Sequence, residues 1–360
     1  MKKYMFNSAY LEKNIIRGIS LLNNSELTEK ERKVLNDDID RLEMFLKCSF
    51  ISSKVNETSK KIESISKLKE SILNKMKDIY NTLGIKVFYF IYELNDANVF
   101  NNIYCIDNTL LSIEEQEEIT IKNYEKNSKY FLKFAKEIFS NKPSNKIQVV
   151  NNLFYSSFCY YSDLLMHPLI VVDPNEDIFI LNHEVQHGIE ALNQYDISKP
   201  FLELGPIFFE LLFTDEFYSE KHYLTSKTYQ SRINDTNFYI KIISNYFKAI
   251  EIFSKNNFDI SNEYFIKVLT ETMGIKQNNL IKFLNEMNNS DDYEEYICYL
   301  LSHLKAIELR HISKSYSGDV SEILIPYIQK NKFNFNINKD SIKIYEDYVK
   351  EMNQKAKKFR

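Results

Sequence analysis

The sequence predicts a mainly α fold with a small β-sheet beside one helix near the middle of the chain. Three observations point that way. Only six glycines and six prolines occur in 360 residues, so few positions interrupt a helix. Apolar residues recur at three- and four-residue spacing over several long stretches, the periodicity of one helical face. A short apolar run rich in β-branched residues, Pro168-Leu-Ile-Val-Val172, stands just before a helical stretch that contains His183-Glu184-Val-Gln-His187.

Thr28-Glu-Lys-Glu31 is a capping box, and Leu35, Ile39, Leu42 and Leu46 then fall on one helical face. A second face carries Ile62, Ile65, Leu68, Ile72, Met76 and Ile79 and stops near Gly84. Ile85-Lys-Val-Phe-Tyr-Phe-Ile91 is apolar and β-rich, compatible with a strand or with a buried helical segment. Ser112-Ile-Glu-Glu115 caps a further helix that ends before Pro143. Pro168 to Val172 reads as a strand. Asp173-Pro174-Asn175-Glu176-Asp177 supplies an N-cap, a proline at the first helical position and acidic residues for the first turn of the next helix. Residues 225–256, 261–287, 291–316 and 339–357 also read as helical, with a break near Gly274 compatible with the pattern. A helical region 1–145 followed by a motif-bearing region 146–360 is one division of the chain; a single continuous domain fits equally well.

A net charge of −4 gives no electrostatic case for nucleic acid. No run of about eighteen apolar residues occurs, and the first residues lack the apolar core of a signal peptide. The expectation is therefore a soluble cytoplasmic protein without a membrane span. Cys48, Cys105, Cys159 and Cys298 are scattered, with no C-x-x-C pair, and read as isolated reduced thiols rather than a thiolate metal site.

The informative stretch is Ile180-Leu-Asn-His183-Glu184-Val-Gln-His187-Gly188. Two histidines four residues apart share one helical face and can hold one metal ion, and the intervening glutamate can take a proton from a water on that ion. A zinc ion held by two histidines needs a third protein ligand. Glu203 is the leading candidate, because a carboxylate in the apolar segment Pro200-Phe-Leu-Glu203-Leu-Gly-Pro-Ile-Phe-Phe-Glu210 is costly unless paired or bound to metal. Glu210, two turns on, is its substitute.

These residues resemble the oligoendopeptidase F and thimet oligopeptidase family of zinc peptidases over about residues 150 to 315. Phe201-Leu-Glu203-Leu-Gly-Pro-Ile-Phe-Phe-Glu210 matches the family's F-x-E-x-x-S-x-x-x-E in the spacing of both glutamates. Tyr296-Ile-Cys-Tyr299-Leu-Leu-Ser302 resembles its C-terminal tyrosine signature. Two departures stand out. Glu286 to Asp292 replaces a histidine-and-glycine segment found in some members, and the N-terminal region is shorter than is common.

The resemblance implies a mainly α metallopeptidase fold and one zinc ion on His183, His187 and Glu203. It also implies Tyr296 and Tyr299 as donors to the oxyanion. Glu184 would accept the proton of the attacking water and pass it to the leaving amine. Glu210 would orient a ligand histidine. If Pro168 to Val172 is an edge strand, Leu169, Ile170 and Val171 would bind an extended oligopeptide through their backbone. The same residues also suit a zincin scaffold that binds peptide or protein with little turnover, or a zinc hydrolase of a non-peptide amide.

Overall fold

The computed structural model describes residues 6–23, 26–50, 85–100, 111–140, 146–150, 156–216, 226–255, 267, 271, 292–329 and 339–358. They form a mainly helical fold with a three-stranded sheet. The helix expected at 62–79 and the break at Gly274 lie outside the described residues; of the helix expected at 261–287, only residues 267 and 271 are described, and both are helical.

Helix α1 (Ser8–Leu22) starts on Asn7, whose side chain accepts the Tyr10 N–H. Helix α2 (Glu29–Phe50) opens with the expected box: Thr28 Oγ1 accepts Glu31 N–H at 3.3 Å, and Thr28 N–H donates to Glu31 Oε2 at 2.8 Å. Ile85 to Ile91 belongs to helix α3 (Ile85–Asp96), not to a strand. The helix capped by Ser112 divides at Ser128 into α4 (Ile113–Asn127) and α5 (Lys129–Phe139). Ser128 is in an extended conformation, and its hydroxyl accepts the Phe131 N–H, which restarts the helix in a new direction.

Strands β1 (Ile147–Val149), β2 (Phe158–Ser162) and β3 (His167–Val172) follow. Their order is β1-β3-β2, with β1 parallel and β2 antiparallel to β3. Next come α6 (Ile180–Leu192), a 3-10 turn (Lys199–Phe201), α7 (Leu204–Glu216), α8 (Ser226–Lys255), α9 (Asp292–Ser313), α10 (Ser321–Ile328) and α11 (Lys339–Lys357).

Strand β3 is the hinge of the packing, because its alternating side chains feed two cores. Ile170 and Val172 join Ile147, Ile138, Val185 and Ile189 in the main core, which draws on residues from both sides of position 145. Leu169 and Val171 point the other way, into a second core with Leu11, Ile15, Leu42 and Phe45 of α1 and α2. This corrects the expectation that Leu169, Ile170 and Val171 bind substrate. All three side chains are fully buried, and β3 is the central strand, with its backbone paired to β1 and β2. Among the described residues, β2 pairs only with β3, and it packs beside α6.

Asp173 to Asp177 corrects a second expectation. They form a turn, closed by Glu176 N–H to Asp173 O at 3.1 Å, and α6 begins only at Ile180, with Phe179 at its cap position. Asp at the first turn position and Pro at the second satisfy a β-turn as well as they would a helix start. Among the described residues, no helix is long and apolar enough to cross a membrane.

Candidate metal centre

Helix α6 sits between β3, α5, α4 and α7. Gly188 lets it close on the sheet: a Cβ there would lie 3.0 Å from both Ile138 Cδ1 and Ile170 Cδ1. Polar contacts then set its register. Asn123 Nδ2 on α4 donates to Asn182 Oδ1 at 3.1 Å and to Phe209 O at 3.0 Å, so one amide ties α6 to α7. Tyr124 Oη donates to Gln186 Oε1 at 3.0 Å. These bonds are buried, where the low local dielectric strengthens them, and they hold α6 against sliding.

Helix α7 is buried on every side from Leu204 to Thr214, so it can be placed by packing alone. Glu203 stands at its entrance, with its carbonyl accepting the Ile207 N–H at 3.1 Å. Its carboxylate meets the motif face of α6. Glu203 Oε2 lies 3.1 Å from His183 Nε2 and 3.4 Å from His187 Nε2. The ligand atoms of His183, His187 and Glu203 all fall within 4.8 Å of one another. Glu203 Oε2 is nevertheless buried without a hydrogen-bond partner.

That donor set fits one divalent ion. Bonds of about 2.0–2.1 Å in a tetrahedral site place neighbouring ligand atoms roughly 3.3 Å apart, close to both separations observed. A buried carboxylate oxygen aimed at two imidazole nitrogens is otherwise a costly arrangement. Burial lowers the affinity of both imidazoles for a proton, but the facing carboxylates outweigh it and hold His183 well above, and His187 above, the ordinary value. Burial pushes Glu203 up, yet the two imidazoles hold it well below the carboxylate range.

Glu210 takes the orienting position. Its Oε1 lies 2.6 Å from His183 Nδ1, on the ring side away from Glu203, and its Oε2 accepts from Arg232 on α8. Arg232 also reaches Asp177 and Asp235, each at 3.2 Å, and lies 4.3 Å over the Phe179 ring. The chain His183–Glu210–Arg232 thus ties α6 to α7 and α8.

Glu184 is buried, and its Oε2 also lacks a hydrogen-bond partner. Burial holds its carboxyl above the usual range, the direction required of a base working near neutral pH. Its charge acts on Cys159 and, more weakly than Glu203 does, on Tyr299. Burial and these acidic neighbours push the Cys159 thiol well up, so it stays protonated and is no nucleophile.

Of the two expected tyrosines, Tyr299 is the one on which the Glu203 charge acts: burial first, then that charge, push its phenol well up, so it remains a donor. Its ring stacks on Tyr239 with centroids 5.4 Å apart. Tyr296, one turn earlier, packs against Phe238 and Tyr239. Leu169, Ile170 and Val171 are not at the centre.

Sequence reasoning missed Arg232, Tyr239 and Glu190. Only Glu190 carries a local signal, since positions 183, 187 and 190 share one face of α6. Burial pushes its carboxyl up to about 7. His303 is buried behind Tyr239, with Thr236 Oγ1 3.4 Å from its Nδ1, and burial lowers it to about 4. His167 bonds Tyr10 and Pro168 O, away from the centre.

Comparison of the chain with protein-family models, with curated proteins and with solved structures finds no match. The functional reading therefore rests on the site's own chemistry.

Proposed function

We propose that the protein is a zinc-dependent metallo-endopeptidase that cuts unstructured oligopeptides, in keeping with its resemblance to the oligoendopeptidase F and thimet oligopeptidase family. One observation carries the reading. The His183 and His187 Nε2 atoms converge on Glu203 Oε2, a buried oxygen without a hydrogen-bond partner among the described residues, and Glu184, on the histidines' own helix, also has one buried unpartnered oxygen, Oε2.

His183, His187 and Glu203 would hold the ion. When bound, zinc supplies Lewis acidity and lowers the pKa of a coordinated water from 15.7 to about 7. Glu184 accepts the proton of the attacking water and returns it to the leaving amine. Tyr299, kept protonated by burial and by its acidic neighbours, donates to the developing oxyanion. Glu210 holds the His183 ring in the orientation that leaves Nε2 for the ion.

The substrate backbone lies along β2. That strand pairs only with β3 among the described residues, and its Cys159 and Tyr160 border the cleft next to His187. An extended peptide can add there through main-chain hydrogen bonds, which an unstructured segment offers along its whole length.

The test is digestion of a mixed pool of unstructured peptides of graded length, read by mass spectrometry. Internal cleavage that vanishes in Glu184→Gln and after chelation is the expected result. Stoichiometric zinc without any cleavage would overturn the reading in favour of a binding scaffold or of another amide substrate.

A further inference from the structure

We propose that the cleft beside His187 is a side-chain subsite for arginine or lysine next to the scissile bond, with Glu190 as its recognition group. This rests on the peptidase reading and specifies the substrate. The cleft encloses about 300 Å³ between β2 and the C-terminal half of α6, beside the metal ligands. That is large enough for one long side chain.

Glu190 is only 4% exposed. Its Oε1 is fixed by Gln186 Nε2 at 3.0 Å, and Gln186 is in turn held by Tyr124. Gly205 on α7 leaves the room that this carboxyl occupies, since a Cβ there would sit 1.8 Å from Oε1. The other oxygen accepts no hydrogen bond among the described residues. The nearest charged partner is His187 Nδ1 at 3.9 Å, beyond hydrogen-bond reach. Glu210 stands 2.6 Å from His183, and the contrast shows what an orienting carboxylate looks like in this protein.

A buried carboxylate with one oxygen turned to a cleft is stabilised by a cation that enters the cleft. None of the described residues lining the cleft is a lysine or an arginine, and Asp196 adds a second negative charge at its exposed rim. Tyr160, Tyr195 and Leu202 offer apolar surface for the methylene stem of the incoming side chain. Tyr195 is braced by Tyr130, with the two hydroxyls 3.2 Å apart.

Calorimetric titration of zinc-loaded Glu184→Gln protein tests this without turnover. The probes are two sets of unstructured decapeptides, one carrying a single arginine and the other its neutral isostere citrulline. The arginine set should bind at least roughly tenfold more tightly, the weight of one hydrogen bond between charged groups. That preference should disappear in Glu184→Gln/Glu190→Gln, with zinc content unchanged.

Equal binding of the two sets, or a preference that survives Glu190→Gln, would overturn the subsite and leave peptide binding intact. Zinc loss in the Glu190→Gln protein would also overturn it, making Glu190 a positioning residue for His187. If neither set binds to zinc-loaded protein, both the subsite and the peptidase reading fall. In wild type, cleavage sites should then cluster beside arginine and lysine.

Discussion

Glu210 accepts from two donors at once, and that makes its replacement by glutamine informative. One oxygen serves His183 Nδ1 and the other serves Arg232. A glutamine keeps the shape but has one acceptor and one NH2 donor, so one of the two contacts becomes donor against donor. Loss of a hydrogen bond that orients a ligand histidine costs about 10–100-fold in metal affinity.

Glu210→Ala goes further and strands Arg232, whose side chain is 8% exposed. Breaking a buried ion pair costs about 3–5 kcal/mol; Asp177 and Asp235 stay within reach of the guanidinium, so a loss of about 3 kcal/mol is expected. Adding Arg232→Met should recover part of it, and the double variant should lose less than the two single losses combined. Zinc affinity is read by competition with a chromophoric chelator and stability by urea unfolding. Zinc binding by Glu210→Gln within about twofold of wild type would refute the orienting role.

Three further outcomes follow from the geometry. Tyr299→Phe should lower kcat about 10²–10³-fold with zinc content intact; a fall of less than about tenfold would remove the phenol from the oxyanion site. Gly205→Ala gains about 1 kcal/mol of helix propensity, but its methyl evicts the Glu190 carboxyl, so a net loss of about 1–2 kcal/mol is expected on urea unfolding. A variant as stable as wild type would show that Glu190 moves freely.

Glu351 sets an acid limit to stability. Burial pushes its carboxyl up, but Arg310, together with Lys314 and Lys355, holds it well below the ordinary 4.5. A depressed folded value means the stabilisation is complete above that ordinary value and is lost as pH falls through the folded one. Arg310→Met should therefore weaken the protein most at neutral pH and much less in strong acid. An equal loss at both, in unfolding experiments, would contradict the pairing.

The motif helix and its partners were readable because each rule involved is local. His183, Glu184 and His187 share a face by helical period, and a carboxylate at 203 in an apolar segment announces a costly group that needs a partner. Capping boxes at Thr28 and Ser112 were equally local, and both are formed. Failures came where two local structures satisfy the same residues. Asp173-Pro174 suits a turn or a cap, and Ile85–Ile91 suits a strand or a buried helix, so tertiary contacts decide. Strand β1 has three residues, too few for period two to register, and its absence from the reading left β3 as an apparent edge. Arg232 could not be foreseen at all, since its role depends on α8 passing Glu210, and neither is near the other in sequence.

The two ligand histidines are supported differently, and this bears on what the site does. His183 is fixed through Glu210 and Arg232 into α8, a chain of charges that no substrate needs to complete. His187 faces Glu190 across 3.9 Å, and Glu190 is itself tied to α4 through Gln186 and Tyr124. In the candidate centre, His183 is thus held by a closed set of ion pairs, whereas His187 borders the cleft beside Glu190, whose Oε2 accepts no hydrogen bond among the described residues. On the proposed reading, recognition and catalysis would share one helix: positions 183, 184 and 187 would address the ion and the water, and position 190, one turn further, would address the side chain that arrives with the peptide.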